Sequence, residues 1–182
     1  MAFSDDIWWT RKARIQTEKR LLSNAFHSQL SLLWYSLIGA SASIYYLKFS
    51  TNNELAGVAW VIYSVMSLVI SVFISGLSFK ERAGLIKDCY ERLKAIQKAA
   101  YEIEQAQNSS VGDIEKIGKE YGQILSLCEN HSDIDYVRAI CLEHLNTPGK
   151  ADDATGLKPN LSKAPSYYQW FQFFAYNFIR WS

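Results

Sequence analysis

The sequence predicts an all-α membrane protein, a two-helix transmembrane hairpin with a cytoplasmic coiled-coil-like helical bundle. Three observations carry that expectation. The stretch Leu55 to Phe79 contains no Asp, Glu, Lys, Arg, His, Asn or Gln. At the α-helical rise its about 25 residues span roughly 37 Å, enough to cross a hydrocarbon core of about 30 Å with some tilt. The stretch Leu30 to Leu47 is also uncharged and spans roughly 27 Å. After Lys80, apolar residues recur at alternating spacings of three and four, the period of helices that pack on helices.

Residues 1–29 read as an amphipathic helix. Ser4 suits an N-cap, and Asp5 and Asp6 suit the positive end of the helix dipole. Trp8, Ile15 and Leu22 recur every seven residues, with Phe26 next along that face. Such a helix either lies at the membrane interface, with Trp8 and Trp9 among headgroups, or packs on the cytoplasmic helices. Residues 30–79 form the hairpin, and Lys48 to Glu54 is a connector short enough to force an antiparallel pair. A buried hairpin of a soluble bundle is the competing reading.

In residues 80–145 the second span is expected to run on unbroken to about Gln107. Ile86, Cys89, Leu93, Ile96, Ala100 and Ile103 line its apolar face. A turn at Asn108-Ser109-Ser110 leads to a second stripe, Ile114, Ile117, Tyr121, Ile124 and Cys128. Ser132 or Asp133 caps a further helix to about Leu145. Residues 146–166, with Pro148, Gly149, Gly156, Pro159 and Pro165, read as a linker. Residues 167–182 form an aromatic tail too short to span a bilayer. It is either an interfacial helix or a peptide that docks in a protein groove, and Trp170, Phe173, Phe174, Phe178 and Trp181 are its candidate contacts.

Charge sets the expected topology. Arg11, Lys12, Arg14, Lys19 and Arg20 precede the first span, and Lys80, Arg82, Lys87, Arg92 and Lys94 follow the second. The connector carries only Lys48, offset by Glu54. Both termini are therefore expected in the cytoplasm and the connector outside. A cleaved signal peptide ending at Ala40-Ser41-Ala42 is disfavoured because the small residues sit inside the apolar run. The net charge of +1 offers no basic face for direct nucleic-acid binding. Cys89, Cys128 and Cys141 show no disulfide framework and read as reduced thiols.

The candidate site is a line of small hydroxyl residues on the second span. Ser64, Ser67, Ser71, Ser75 and Ser78 fall, with Gly57 and Trp60, on one arc of the helix. Such a line either packs closely on a neighbouring helix, for which Ser36, Ala40 and Ser43 offer a matching face, or lines an uncharged aqueous path when copies assemble. Two C-x-x-H units, Cys128 to His131 and Cys141 to His144, invite a zinc reading. The helix expected between them staggers the four ligands too far for one tetrahedral ion, so no metal or other cofactor is expected. No phosphate-binding glycine loop, H-E-x-x-H or G-x-S-x-G occurs, and no catalytic residue is assigned.

The order of elements, with Ser78-Phe79-Lys80-Glu81-Arg82-Ala83, Lys87-Asp88-Cys89-Tyr90-Glu91-Arg92-Leu93 and Glu129-Asn130-His131-Ser132 before Asp135-Tyr136, resembles the SLATT family of prokaryotic two-transmembrane effectors. The resemblance implies a homo-oligomeric, pore-forming effector of anti-phage defence. It would disrupt the inner membrane and cause cell death or growth arrest (abortive infection) when a nucleotide signal or a separately encoded sensor or reverse transcriptase triggers it. No nucleotide-sensing domain is expected in this chain. The alternative is a non-conducting membrane-anchored scaffold that recruits a partner enzyme.

Overall fold

The computed structural model describes residues 2–49, 54–106 and 111–181. Among them are six helices and no strand: α1 (Phe3–Lys48), α2 (Glu54–Gly76), α3 (Phe79–Gln105), α4 (Val111–Ser126), α5 (Asp133–Asn146) and α6 (Tyr167–Trp181). The turns expected at 50–53 and 108–110 lie outside the described residues. The chain forms two compact units, one of Met1–Arg20 with Arg82–Ser182 and one of Leu21–Glu81.

Two expected boundaries move. The amphipathic segment and the first apolar segment are one helix, α1, of 46 residues. No Gly or Pro occurs between Ser4 and Ile38, so nothing interrupts the backbone hydrogen bonding at residue 29. Ser4 lies inside that helix, and its hydroxyl bonds the Glu104 carboxylate instead of capping. The second correction is that α2 does not run on into α3. It ends at Gly76, Leu77 N and Ser78 N close back on Ile74 O and Ser75 O, and Ser78 takes a left-handed φ of 44°. Gly76 is the weakest helix former in that stretch, and tight turns of this kind end many helices.

The first unit is built around α3. Most of its predicted stripe is buried: Ile86, Cys89, Leu93, Ile96 and Ala100 are inside, joined by Ala83, and Ile103 is half-buried at the end. Ile7 of α1 and Ile117 of α4 pack against this face, with Tyr121, Ile124 and Cys128 at its margin. Ile114, at the far end of the predicted α4 stripe, stays 48% exposed.

The start of α1 is buried along a face rotated by one residue from the predicted one. Ile7, Arg14 and Leu21 are each at most 1% exposed, whereas Leu22 and Phe26 are 45% and 62% exposed. The inward line contains an arginine, so a line drawn through apolar letters falls on Trp8, Ile15 and Leu22 instead. Polar bonds fix this face in place. Ser4 N donates to Glu104 at 3.1 Å, Arg11 to Gln97 at 2.8 Å, Thr17 to Asp135 at 3.0 Å and Lys12 to Glu143 at 2.6 Å. With these contacts, the packing alternative for this helix describes its first twenty residues.

Ser132 precedes α5 as expected, its hydroxyl and backbone N–H both bonding the Asp135 carboxylate at 2.8 and 3.3 Å. The segment before α6 is irregular yet tied down. Trp9 donates to Ser162 at 2.7 Å, Lys163 to the Tyr136 hydroxyl at 2.7 Å, and Lys158 to Thr147 O at 3.0 Å. Gly149 and Gly156 occupy positive φ of 110° and 68° in its turns.

Candidate functional site

The second unit holds the serine line. Here the C-terminal half of α1 and the length of α2 lie side by side and antiparallel. Ser36, Gly39 and Ser43 share a cleft of about 260 Å³ with Tyr63, Ser64 and Ser67. Farther along, Ala25, Ser28 and Leu32 share one of about 300 Å³ with Ser71, Ser75 and Ser78. Thus all five serines line clefts shared with α1: Ser36, Ala40 and Ser43 meet Ser64 and Ser67, while Ser71, Ser75 and Ser78 meet the earlier turns at Ala25, Ser28 and Leu32. Trp60 lies to one side, beside Trp34, Leu37 and Tyr45. Nothing lies within 4 Å of where a side chain on Gly57 would begin.

Close approach is set by Gly39 and Tyr63. A Cβ on Gly39 would meet Tyr63 Cε1 at 2.7 Å, so only glycine fits beneath that ring. The Tyr63 hydroxyl crosses the contact and donates to Tyr35 O at 2.5 Å. The serine hydroxyls are partly satisfied within their own helices: Ser64 donates to Trp60 O at 2.9 Å and Ser43 to Gly39 O at 2.8 Å. Back-bonding of this kind lets a hydroxyl reside in an apolar medium. Sequence reading missed Gly39 and Tyr63 as a pair, because no spacing rule reports which aromatic ring will cover a glycine on another helix.

The remaining face of α2 is wholly apolar and open. Val61, Leu68, Val72 and Phe73 are 64%, 66%, 66% and 68% exposed. Gly57–Gln105 contains the described stretch that is long and apolar enough to cross a membrane, and none of its apolar window is buried. A helix in water does not leave such a face uncovered.

The aromatic tail forms α6 in the first unit and uses its aromatics in two directions. Phe173 is buried against Val137 and Cys141 of α5, with Trp170 beside it. Arg138 stacks over the Tyr176 ring at 5.0 Å. Phe174 and Phe178 face outward with Tyr167, Tyr168 and Phe171. The Trp181 side chain lies outside the described residues. One face of the tail therefore docks on its own chain, and the other offers a continuous aromatic surface.

The two C-x-x-H units go separate ways. Cys128 lies against Cys89 and Arg14, and Cys141 Sγ lies 3.8 Å from Gln169 O. His144 Nε2 contacts Gly156 O at 3.1 Å, and His131 stacks near Tyr136. Among the described residues no three His, Cys, Asp or Glu side chains converge as metal ligands. The three thiols read separately in the sequence thus include two, Cys89 and Cys128, that lie side by side with Cα atoms 6.6 Å apart.

No curated protein and no solved structure matches this chain. A family model does, over residues 2–181, and it spans both the apolar unit with its serine line and the unit that carries α6. The chain accordingly belongs to the SMODS and SLOG-associating 2TM effector domain family 5, one of the SLATT effector families.

Proposed function

We propose that this protein is a membrane effector of a prokaryotic anti-phage defence system. In this reading it sits in the inner membrane with both ends in the cytoplasm and crosses twice, by the C-terminal half of α1 and by α2. It acts without catalysis, assembling as a homo-oligomer that opens a pore or disrupts the bilayer when a nucleotide signal or a separately encoded sensor or reverse transcriptase triggers it.

The observation that carries this reading is how the first unit is built. Residues from both ends of the chain form one packed body, joined by the bonds of Ser4 to Glu104, Thr17 to Asp135 and Lys12 to Glu143. A chain that leaves such a body at residue 20 and rejoins it at residue 82 crosses a membrane an even number of times. With α2 as one crossing, the uncharged end of α1 supplies the other, although the polar Ser, Tyr and Gly content of that segment lowers its mean apolarity.

The serine line lies against α1 within one chain. Conduction would therefore use either the seam between the two helices, widened when copies assemble, or a rotation that turns the line toward a shared axis. The test is membrane potential, read by a voltage-sensitive dye in bacteria expressing the chain with its genomic neighbours and a trigger. Wild type is expected to depolarise the cells. The Ser67→Leu/Ser71→Leu variant is expected to remain in the membrane fraction and leave the potential intact. Equal depolarisation by the variant removes the serine line from the path.

A second reading, the non-conducting scaffold, draws on the outward aromatic face of α6, whose exposed Phe171, Phe174 and Phe178 suit contact with a partner protein. It predicts no depolarisation under any trigger, and a complex lost on changing Phe171, Phe174 and Phe178 to Ser.

A further inference from the structure

Among the described residues, the first unit buries a cation that bonds no carboxylate. Arg14, 1% exposed, points its Nη1 at two sulfurs, Cys89 Sγ at 3.0 Å and Cys128 Sγ in closer contact, with Glu129 O at 3.4 Å. Its Nε has no partner. The nearby carboxylates are engaged elsewhere: Glu129 forms an ion pair with Arg82 at 2.6 Å, and Asp135 with Arg20 at 2.9 Å. A buried guanidinium ordinarily requires an anion, and among the described residues the groups bonded to Arg14 that can supply one are the thiols.

The same two thiols are already placed for a bridge. Cys89, on α3, and Cys128, just past α4, have Cα atoms 6.6 Å apart, within the range a disulfide spans. They differ in access, Cys89 being 3% exposed and Cys128 only partly buried. We infer that Cys128 and Cys89 form an oxidation-sensitive pair, in which Arg14 holds the Cys128 sulfur as a thiolate and a hydroperoxide is the oxidant that joins the two.

The chemistry balances in two steps. The Cys128 thiolate attacks one oxygen of the hydroperoxide; an S–O bond forms, the O–O bond breaks, and the departing alkoxide or hydroxide takes up a proton. The Cys89 sulfur, losing its proton, then attacks the Cys128 sulfur. An S–S bond forms, the S–O bond breaks, and hydroxide leaves as water. Two thiols have given up two electrons and two protons, and the hydroperoxide has become an alcohol (or water) and a water. The bridge ties α3 to the chain leaving α4 across a sequence separation of 39.

Other groups around the pair do not displace Arg14 from this role. Tyr121 on α4, whose hydroxyl lies 3.0 Å from Thr10 Oγ1, cannot carry a positive charge. His131 is held below its ordinary value by burial and by the Arg14 charge, so it stays neutral and adds no second cation. Cys141 is an internal control, since it is fully buried, its sulfur lies against Gln169 O, and burial pushes its thiol up to about 11.

The experiment uses the full, reduced chain in lipid nanodiscs. Alkylation by iodoacetamide is followed at each cysteine across pH by peptide mass spectrometry, and a second sample is treated with limiting hydrogen peroxide. Cys128 is expected to alkylate with a midpoint at least about one unit below the ~8.5 of a free thiol, and Cys141 far above it. Peroxide is expected to yield a Cys89–Cys128 cross-linked peptide while Cys141 stays reduced. Arg14→Gln should slow Cys128 alkylation at pH 7 about tenfold or more, and Arg14→Lys should largely preserve it. If Arg14→Gln fails to fold, the wild-type profile decides alone. A Cys128 midpoint at or above 8.5, no reaction at Cys128, or oxidation without the Cys89–Cys128 link overturns the inference.

Discussion

At the scale of single residues, Asp135 is the buried side chain that ties α1 to the start of α5. It is fully buried at the start of α5, and its carboxylate accepts from Thr17 Oγ1 at 3.0 Å, Arg20 Nε at 3.0 Å, Arg20 Nη2 at 2.9 Å and Ser132 Oγ at 2.8 Å. Burial alone would raise its pKa. The hydrogen bonds from Arg20, Ser132 and Thr17, with the Arg20 charge, outweigh burial and hold the carboxyl below its usual range. The sign of the linkage follows. A depressed folded-state pKa contributes stability that is present above the unfolded value of about 3.9 and is lost as pH falls through the folded value. Asp135→Ala also strands Arg20, whose side chain keeps 23% of its surface in contact with solvent, so the loss should fall near 2–4 kcal/mol, not at the top of the range for buried pairs. Thermal unfolding between pH 7 and pH 3 checks both points. Wild type should lose stability below about pH 4, and Asp135→Asn should start lower and change less.

At the scale of elements, the α1–α2 contact depends on Gly39 lying under Tyr63. Gly39→Ala should push the ring aside and break the bond from Tyr63 to Tyr35 O, at a cost of about 1–3 kcal/mol. Tyr63→Ala removes the obstruction, so the double variant should be less destabilised than the sum of the single ones by about 1 kcal/mol. Unfolding in mixed micelles measures all three, and strict additivity would mean that the two residues do not form the contact. This element pair also shows what the sequence could reveal. The uncharged stretch of α2 and the three-four spacing of α3 are local patterns, and both were legible: no charge interrupts the first, and every buried position of the second is apolar. The face of α1 was not, because Arg14 occupies an inward position and is accommodated by two sulfurs distant in sequence. Nor was the break at Ser78, since a lone Gly76 inside an apolar run is as compatible with a continuing helix as with an end. The serine line was legible as a line, but which helix it meets depends on the antiparallel pairing that brings Tyr35 to Tyr63.

At the scale of the whole molecule, the arrangement that matters is a single packed body made from the first twenty and last hundred residues, with an apolar excursion between them. This makes the number of membrane crossings a question of parity. If α2 alone crossed, the N-terminal residues would lie on the opposite side from α3, α4 and α5. The contacts of Ile7 with the α3 core, of Arg14 with Cys89 and of Thr17 with Asp135 would then all be impossible. Burying Ile7 and Trp9 in this body is worth on the order of 1.5–3 kcal/mol each, before any ion pair is counted, so the body strongly resists such separation. The prediction is therefore specific. Alkaline phosphatase, active only outside the cytoplasm, should be inactive when fused before Met1 or after Ser182 and active when inserted between Asn52 and Asn53. A green fluorescent reporter should give the reverse pattern at the ends. Activity at exactly one terminus would mean a single crossing, and with it a first unit that cannot form as one body in the membrane-bound protein.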